Sequence, residues 1–490
     1  MEKKAYVVGL DGVLHSAFVR WIERGFFPKT SRIMKGGRDY TLYSTIPPLT
    51  LPSWYSMFTG KDPSELDIYG FVEQKEHSGK FSYVKGYEPH KAIWDIIGRN
   101  GYKSVVINFP IMKPVELYKG SMVAGMLPPP DKPYTTPSSL TNYIKENIPE
   151  YLVDLKSVEF NTNNNRFPEA ISSVQAKVKL AKYLINKINP DLLVVVFTET
   201  DRLQHVLWKA IESEGRSIFY RKDFLNYVKF LKTLDTAIFE IYREFAGDKV
   251  IPSFIVSDHG FGLLCESFFV NRWLMKKGYL VYNDTTKMNK ANKLSETFLV
   301  ADKILKLIKM DKPVYFSANF LNIIGKVEKI KKEVIGNADF VGLGNDVNWD
   351  KTTVFHYSLN GGLYFNYDNP NLNDNTMRDI IKNIQKDLMA MDKPKSQLII
   401  SNEIYKKKVD SKAPFGFVVS NNYQCEIRSD MNYRLNYLER PGYFLGTGTH
   451  RKEGILYTNQ KVSPKEGDNF NVTDIFYILY SHILQKLYIQ

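Results

Sequence analysis

Cysteine is nearly absent from this chain: Cys265 and Cys425 are the only two among 490 residues. Two thiols so far apart exclude a disulfide framework and a cysteine-based metal knuckle, so both are expected to be small buried side chains. No run of roughly 18 apolar residues occurs, and no membrane-spanning helix is expected. The start, MEKKAYVVGLDG, passes directly from basic residues into an apolar run of about six, too short for the hydrophobic region of a secretory signal. A cytoplasmic location is the expectation. Internal repeats and low-complexity tracts are also missing. Histidine is scarce, with eight residues, so where each one falls is informative.

Charge of one sign is not concentrated either. Lys and Arg number 66 against 53 Asp and Glu, a formal net charge of +13, but the excess is spread along the chain. The densest run, Lys326 to Lys332, reads as a solvated helix face. A basic balance attracts nucleic acid, anionic lipid or phosphorylated small molecules. No nucleic-acid reader motif accompanies it, and charge alone does not choose between lipid and a small phosphorylated substrate. Oligomeric state is not legible. At 43% hydrophobic and 24% charged residues, the chain reads as folded and not disordered.

What is present is an alternation of short apolar runs with helical patterns. Ala5–Leu10, Ser104–Asn108, Leu192–Phe197 and Phe254–Ser257 read as buried strands. Phe18–Arg24, Ser53–Phe58, Ala92–Ile97, Ser172–Ile188 and Phe224–Phe245 read as helices, the second opened by Pro52 and closed by Gly60. Met126–Pro137 reads as a loop. Helix then strand, repeated, predicts an α/β fold with a mostly parallel sheet flanked by helices on both faces. Residues 283–340, rich in Lys and Asn with helical patches at Phe298–Ile308 and Ile323–Ile335, break the rhythm. They are expected to form an inserted helical cap on a catalytic domain made of 1–282 and 341–490.

Three of the strands end in residues suited to metals. Asp11 follows AYVVGL, Asp201 and His205 follow LLVVVF, and Asp258-His259-Gly260 follows FIVS. In open parallel sheets, ligands bind beyond the carboxyl ends of the strands. Asp201 and His205 are spaced i, i+4 and share one face of a helix. His450 sits in the loop GTGTHRKEGIL, whose small residues permit close approach to a ligand. Thr50 precedes a helix start, where a hydroxyl and free N–H groups can meet an anion. Singly, each has a plainer reading: a helix cap for Asp11 or Thr50, a turn for Asp258, a surface pair for Asp201 and His205. Asp and His without Cys suit Zn²⁺, Mn²⁺, Fe or Co. Two such ions about 4 Å apart could serve the attacking and leaving oxygens of an in-line displacement.

Together these segments resemble the alkaline phosphatase superfamily, and within it the type I phosphodiesterase/nucleotide pyrophosphatase-like branch with its archaeal phosphohydrolase and phosphomutase-like members. The resemblance rests on VVGLDG (7–12), STIPPLTLPSWYSMFTGKDP (44–63), INFPIMKP (107–114), DLLVVVFTETDRLQHVLW (191–208), IVSDHGFG (255–262), VNRWLMKKGYL (270–280), WDKTTVF (349–355) and GTGTHRKEGI (446–455). It implies two divalent metals, with Zn²⁺ first in expectation and Mn²⁺ or another ion as the alternative. One would be held by Asp201, His205 and His450, the other by Asp11, Thr50, Asp258 and His259. It further implies that Thr50 attacks phosphorus and forms a covalent enzyme intermediate, which water then releases. Where nucleotide pyrophosphatases carry Asn three residues after the nucleophile, this chain has Ser53, whose hydroxyl would donate to a phosphoryl oxygen. The segment Thr50-Leu51-Pro52-Ser53-Trp54 lacks the Cys and Arg of a sulfatase motif.

The expected activity is hydrolysis of phosphate diesters. The competing readings are a mutase or monoesterase acting on a sugar phosphate, and a non-catalytic binder of phosphorylated ligands. Specificity is expected in 64–90, 130–170 and 283–340, where Tyr69, Phe71, Tyr282 and Phe316 could stack on a base or simply pack.

Overall fold

The computed structural model describes residues 5–76, 80–84, 92–111, 114–117, 119–126, 132–155, 166–283, 343, 347–357, 361–429, 438–439 and 447–484. The chain divides into two units, Met1–Gly70 with Val84–Leu263 and Tyr443–Gln490, and Phe71–Tyr83 with Leu264–Gly442. Apart from Asn283, the segment 283–340 expected as a cap lies outside the described residues, as do both of its helical patches and Phe316.

The first unit is built on nine strands: β1 (Ala5–Leu10), β2 (Arg38–Tyr43), β3 (Ser104–Pro110), β4 (Gly120–Gly125), β5 (Thr135–Thr136), β6 (Leu192–Phe197), β7 (Ser253–Val256), β10 (Glu453–Thr458) and β11 (Phe470–Asn471). Between β7 and β10 in sequence, β8 (Gly260–Leu263) and β9 (Gly448–Arg451) form a separate antiparallel pair. The sheet order is β11-β2-β10-β7-β1-β6-β3-β4-β5. It is parallel through β7-β1-β6-β3-β4, while β10 runs antiparallel to both β7 and β2.

The central strands are apolar throughout because both faces are covered. On one face Tyr6, Val8, Leu10, Leu193, Val195 and Phe197 join a core with α2 (Arg166–Ile188), α3 (Glu199–Ser213) and α4 (Arg221–Ala246). On the other face lies α1 (Thr50–Thr59), all of whose residues are buried. A Cβ on Gly9 would stand 2.5 Å from the Trp54 ring, so the sheet and α1 meet too closely for a side chain there. Trp54, Phe58, Trp94 and Phe109 pack together on that side.

The second unit carries a four-stranded antiparallel sheet ordered Val354–His356, Gly362–Phe365, Gly416–Ser420, Ser396–Ile400. Phe268, Trp273, Phe355, Tyr357 and Tyr364 lie in its core. No helix among the described residues is long and apolar enough to cross a membrane.

Several elements differ from the sequence reading. The helix expected from Pro52 begins at Thr50, with Leu49 as its N-cap and Pro52 at its third position. Proline is tolerated there because the first turn of a helix has no intrahelical partner for its N–H groups. His450 lies in strand β9 and not in a loop. Thr135–Thr136 forms a short strand inside the presumed Met126–Pro137 loop. Strands β2 and β10 were not anticipated: β2 reads RDYTLY, too polar to stand out as a buried run.

Candidate metal centre

Six of the predicted site residues, Asp11, Asp201, His205, Asp258, His259 and His450, converge on one edge of the first unit's sheet. Strands β6, β1 and β7 are immediate neighbours and parallel, so Asp11, Asp201, Asp258 and His259 emerge side by side beyond their carboxyl ends. Because β10 is antiparallel to β7, its amino end lies at that same edge, and β9 just before it brings His450 there. Tyr43, the last residue of β2, pairs with Glu453, which starts the 44–50 connection from the same edge. His450 pairs with Phe261 across β8 and β9. Its Nδ1 lies 2.9 Å from the carbonyl of Pro48, which ties the segment leading into Thr50 to the histidine cluster.

The geometry is that of ligands gathered around cations. His450 Nε2 stands 3.4 Å from Asp201 Oδ1 and 3.2 Å from His205 Nε2, and His205 Nε2 is 3.5 Å from Asp201 Oδ1. His259 Nε2 is 3.2 Å from Asp258 Oδ2 and 3.6 Å from Asp11 Oδ1. Two overlapping triads result, Asp201/His259/His450 and Asp11/Asp258/His259, with His259 common to both. Its ring stacks on His450 with centroids 3.7 Å apart.

Four of these atoms carry the decisive feature. Asp11 Oδ1, Asp201 Oδ1, Asp258 Oδ2 and His259 Nε2 are fully buried and have no hydrogen-bond partner. Other buried polar atoms among the described residues also lack a partner, but these belong to two triads whose ligand atoms lie within 4.8 Å of one another, an arrangement that divalent cations would satisfy. The opposite atoms of Asp11, Asp258 and His259 are engaged, as is that of His450. Asp11 Oδ2 accepts from Trp54 Nε1 at 3.0 Å, and Asp258 Oδ1 accepts from the Gly12 amide at 3.1 Å. His259 Nδ1 faces the Gly260 carbonyl at 3.1 Å, and His450 Nδ1 faces that of Pro48. A carbonyl can only accept, so both rings carry their proton on Nδ1 and turn the Nε2 lone pair inward, as a metal ligand must.

Electrostatics agree with this. Burial, then the charge of Asp258 and of Asp201, pushes the Asp11 carboxyl well above its ordinary range. Burial likewise raises Asp258, with Asp201 adding to it and the Gly12 amide opposing. Burial also acts to raise Asp201, but His205, His450 and Arg202 beside it hold it below the usual carboxylate range. His205 is pushed down to about 4, first by burial, with His450 adding and Asp201 opposing, and burial pushes His259 down too. Three carboxyls at odds with one another, beside neutral imidazoles, form a site short of positive charge.

Thr50 is the first residue of α1 and 1% exposed. Ser53, one turn on, is fully buried and its hydroxyl lies 2.8 Å from those of both Ser44 and Thr45. Thr45 donates to the Pro47 carbonyl at 2.7 Å. A hydroxyl has one proton, so Ser53 donates to Thr45 and accepts from Ser44. Its proton is therefore held inside the 44–53 segment.

Supporting residues escaped the sequence reading. Thr200 donates to the Asp11 carbonyl at 2.6 Å and Gln204 to that of Gly12 at 3.0 Å. Ser257 accepts from the Val13 amide and donates to the His259 carbonyl. Arg202 forks onto Asp154 at 2.9 and 2.6 Å, with another nitrogen 3.7 Å from Asp201. Phe261 presents its ring to His205 and His450. The VVGLDG, TETDRLQH and VSDHGFG segments contain most of these residues, but nothing in one sequence says which of them face the ligands.

The family model for type I phosphodiesterase/nucleotide pyrophosphatase matches residues 5–341. Among solved structures, the phosphonoacetate hydrolase of Sinorhizobium meliloti 1021 is similar over 98% of this chain and 96% of its own, at 13% identity and a TM-score of 0.57. Murine ectonucleotide pyrophosphatase/phosphodiesterase 5 is similar over 100% and 96%, at 12% identity and 0.53. The alkaline phosphatase PafA is similar over 99% and 96%, at 13% identity and 0.53. No curated protein sequence matches.

Proposed function

The chain belongs to the type I phosphodiesterase/nucleotide pyrophosphatase family of the alkaline phosphatase superfamily and is a metal-dependent phosphoric ester hydrolase, and on that footing we propose that it cleaves phosphate diesters through Thr50. The observation that carries this reading is the set of four unpartnered buried ligand atoms, with His450 bonded to Pro48 two residues before Thr50. Asp201, His205 and His450 would hold one divalent cation; Asp11, Thr50, Asp258 and His259 would hold the other. We take both to be Zn²⁺, with Mn²⁺ the alternative, since an all-Asp/His/Thr donor set suits these ions. When bound, such ions offset the substrate's charge and lower the pKa of a coordinated hydroxyl.

In the first step the Thr50 Oγ bonds to phosphorus as the bond to the leaving alcohol breaks, and the departing oxygen takes a proton. In the second, a water oxygen bonds to phosphorus, the Thr50 ester bond breaks, and the threonine hydroxyl regains its proton. The opening turn of α1 supplies the Thr50 and Leu51 amides, which have no partner within the helix, to a phosphoryl oxygen. Ser53 braces the nucleophile's segment through Ser44 and Thr45, a different role from the substrate donor that its position first suggested.

The test is turnover of bis-p-nitrophenyl phosphate with Zn²⁺, Mn²⁺ and Mg²⁺ supplied separately. Thr50→Ala is expected to lower kcat on the order of 10³-fold or more while most of the bound metal is retained. Unchanged turnover in that variant would sink the nucleophile assignment. Parallel assays of a monoester and a sugar phosphate, with product analysis, separate diesterase from monoesterase and mutase.

A further inference from the structure

The opposite edge of the same sheet carries a second charged feature that the catalytic reading does not use. Lys103 and Lys119 immediately precede β3 and β4, whose first residues, Ser104 and Gly120, pair with each other. Both lysines therefore sit at the amino ends of the strands, whereas the metal ligands sit at the carboxyl ends. Together with Lys187, near the end of α2, they line an open cavity of about 440 Å³, a size suited to a small molecule.

The three ammonium groups are under-used. Lys103 donates to the Ile188 carbonyl at 3.2 Å, Lys119 to that of Gly101 at 3.5 Å, and Lys187 to the Tyr183 hydroxyl at 2.7 Å. An ammonium has three protons, so each keeps donors to spare. Among the described residues none of the three pairs with a carboxylate, whereas Lys179 and Lys182 of the same helix α2 are paired with Glu150 and Glu240. Asp191, the carboxylate that does meet this segment, is buried and accepts the backbone amide of Lys103. Three ammonium groups without a carboxylate partner give the hollow a positive potential that attracts an anion.

Ser121 and Ser139 add hydroxyl groups to the lining, and one wall is apolar and aromatic. Tyr143 stacks on Tyr183 with centroids 3.9 Å apart, and Leu140 and Leu184 complete that wall. We propose that this cavity is a second anion site, which takes a small phosphate- or phosphonate-type dianion with its charged group on Lys103, Lys119 and Lys187 and an apolar or aromatic substituent against the Tyr143/Tyr183 wall. It is separate from the hydrolytic centre and does not depend on Thr50 being the nucleophile.

The test is calorimetric titration of the metal-loaded protein with phenylphosphonate and with methylphosphonate, two probes of similar charge that a phosphoesterase cannot hydrolyse as esters. The wild type is expected to show a saturable, salt-sensitive event. The variant carrying Lys103→Gln, Lys119→Gln and Lys187→Gln should weaken it roughly tenfold or more. Phenylphosphonate should bind more tightly than methylphosphonate. Because Lys103 also bonds to the Ile188 carbonyl, the double variant Lys119→Gln/Lys187→Gln provides a version that leaves that bond intact, and its affinity should fall in between. Turnover of the chromogenic diester at low probe concentration should be the same in all three proteins. Identical isotherms for wild type and variants would overturn the site, and equal affinity for the two probes would overturn the aromatic wall.

Discussion

At the scale of single residues the centre is a problem of charge. Asp11 and Asp258 are raised by burial and by neighbouring carboxylates. A carboxyl raised in the folded state contributes stability below its unfolded pKa and loses it as pH rises through the folded value. His205 and His259 have the opposite sign: their contribution is present above the ordinary imidazole range and is lost as pH falls, for His205 through about 4. In the metal-free protein the two effects oppose one another, whereas metal binding needs both the carboxyls and the imidazoles deprotonated and so strengthens as pH rises from about 5 to about 8. The difference in Tm between metal-loaded and chelated protein should therefore widen as pH rises over that window. A difference that is constant or shrinks would contradict the reading of Asp11 and Asp258. Asp201→Asn should lower both bound metal and turnover, whereas Thr50→Ala should chiefly lower turnover. Elemental analysis beside kinetics separates a ligand from a nucleophile.

At the scale of elements, the site depends on tight joints. Gly12 directly follows Asp11 with φ +72°, and a Cβ there would lie 2.9 Å from the Phe261 ring and 3.2 Å from Asp201 Oδ1. Gly12→Ala is expected to cost about 1–3 kcal/mol from backbone strain and crowding, with impaired metal retention, measurable by denaturant unfolding and metal analysis. Phe261 is fully buried and supports His205 and His450 from β8. Phe261→Ala should cost roughly 3–5 kcal/mol, and the metal held through His450 should be lost first. Retention of both metals with full affinity would show that β8 does not set the position of these histidines. The elements themselves were unevenly legible. Leu192–Phe197 and Ala5–Leu10 were read to the residue because burial on both faces demands an unbroken apolar run. Strand β2, which mixes exposed, half-buried and buried positions, and the pair β8·β9, rich in glycine, carry no such signature.

At the scale of the molecule, every predicted ligand belongs to the first of the two units. Ligand binding to the folded state alone stabilises it by about 2.7 kcal/mol at a hundredfold excess over Kd. Calorimetry with and without chelator should therefore shift the transition that reports the first unit and leave that of the second in place. Equal shifts in both would mean that the second unit contributes to the metal centre.

The sequence by itself determined which chemistry was available. Asp11, Asp201, His205, Asp258 and His259 follow apolar runs, and a strand end or a helical i, i+4 spacing is a local property that a linear pattern records. Only the tertiary structure decided that β6, β1 and β7 are neighbours, that an antiparallel β10 returns His450 to their carboxyl edge, and that His259 stands between both ligand sets. It also turned the Ser53 hydroxyl toward Ser44 and Thr45 and gathered Lys103, Lys119 and Lys187 around one cavity at the far edge. Strand order and hydrogen-bond partnership are contacts between residues distant in the chain. They are set by which buried faces pack together, and no local periodicity encodes them.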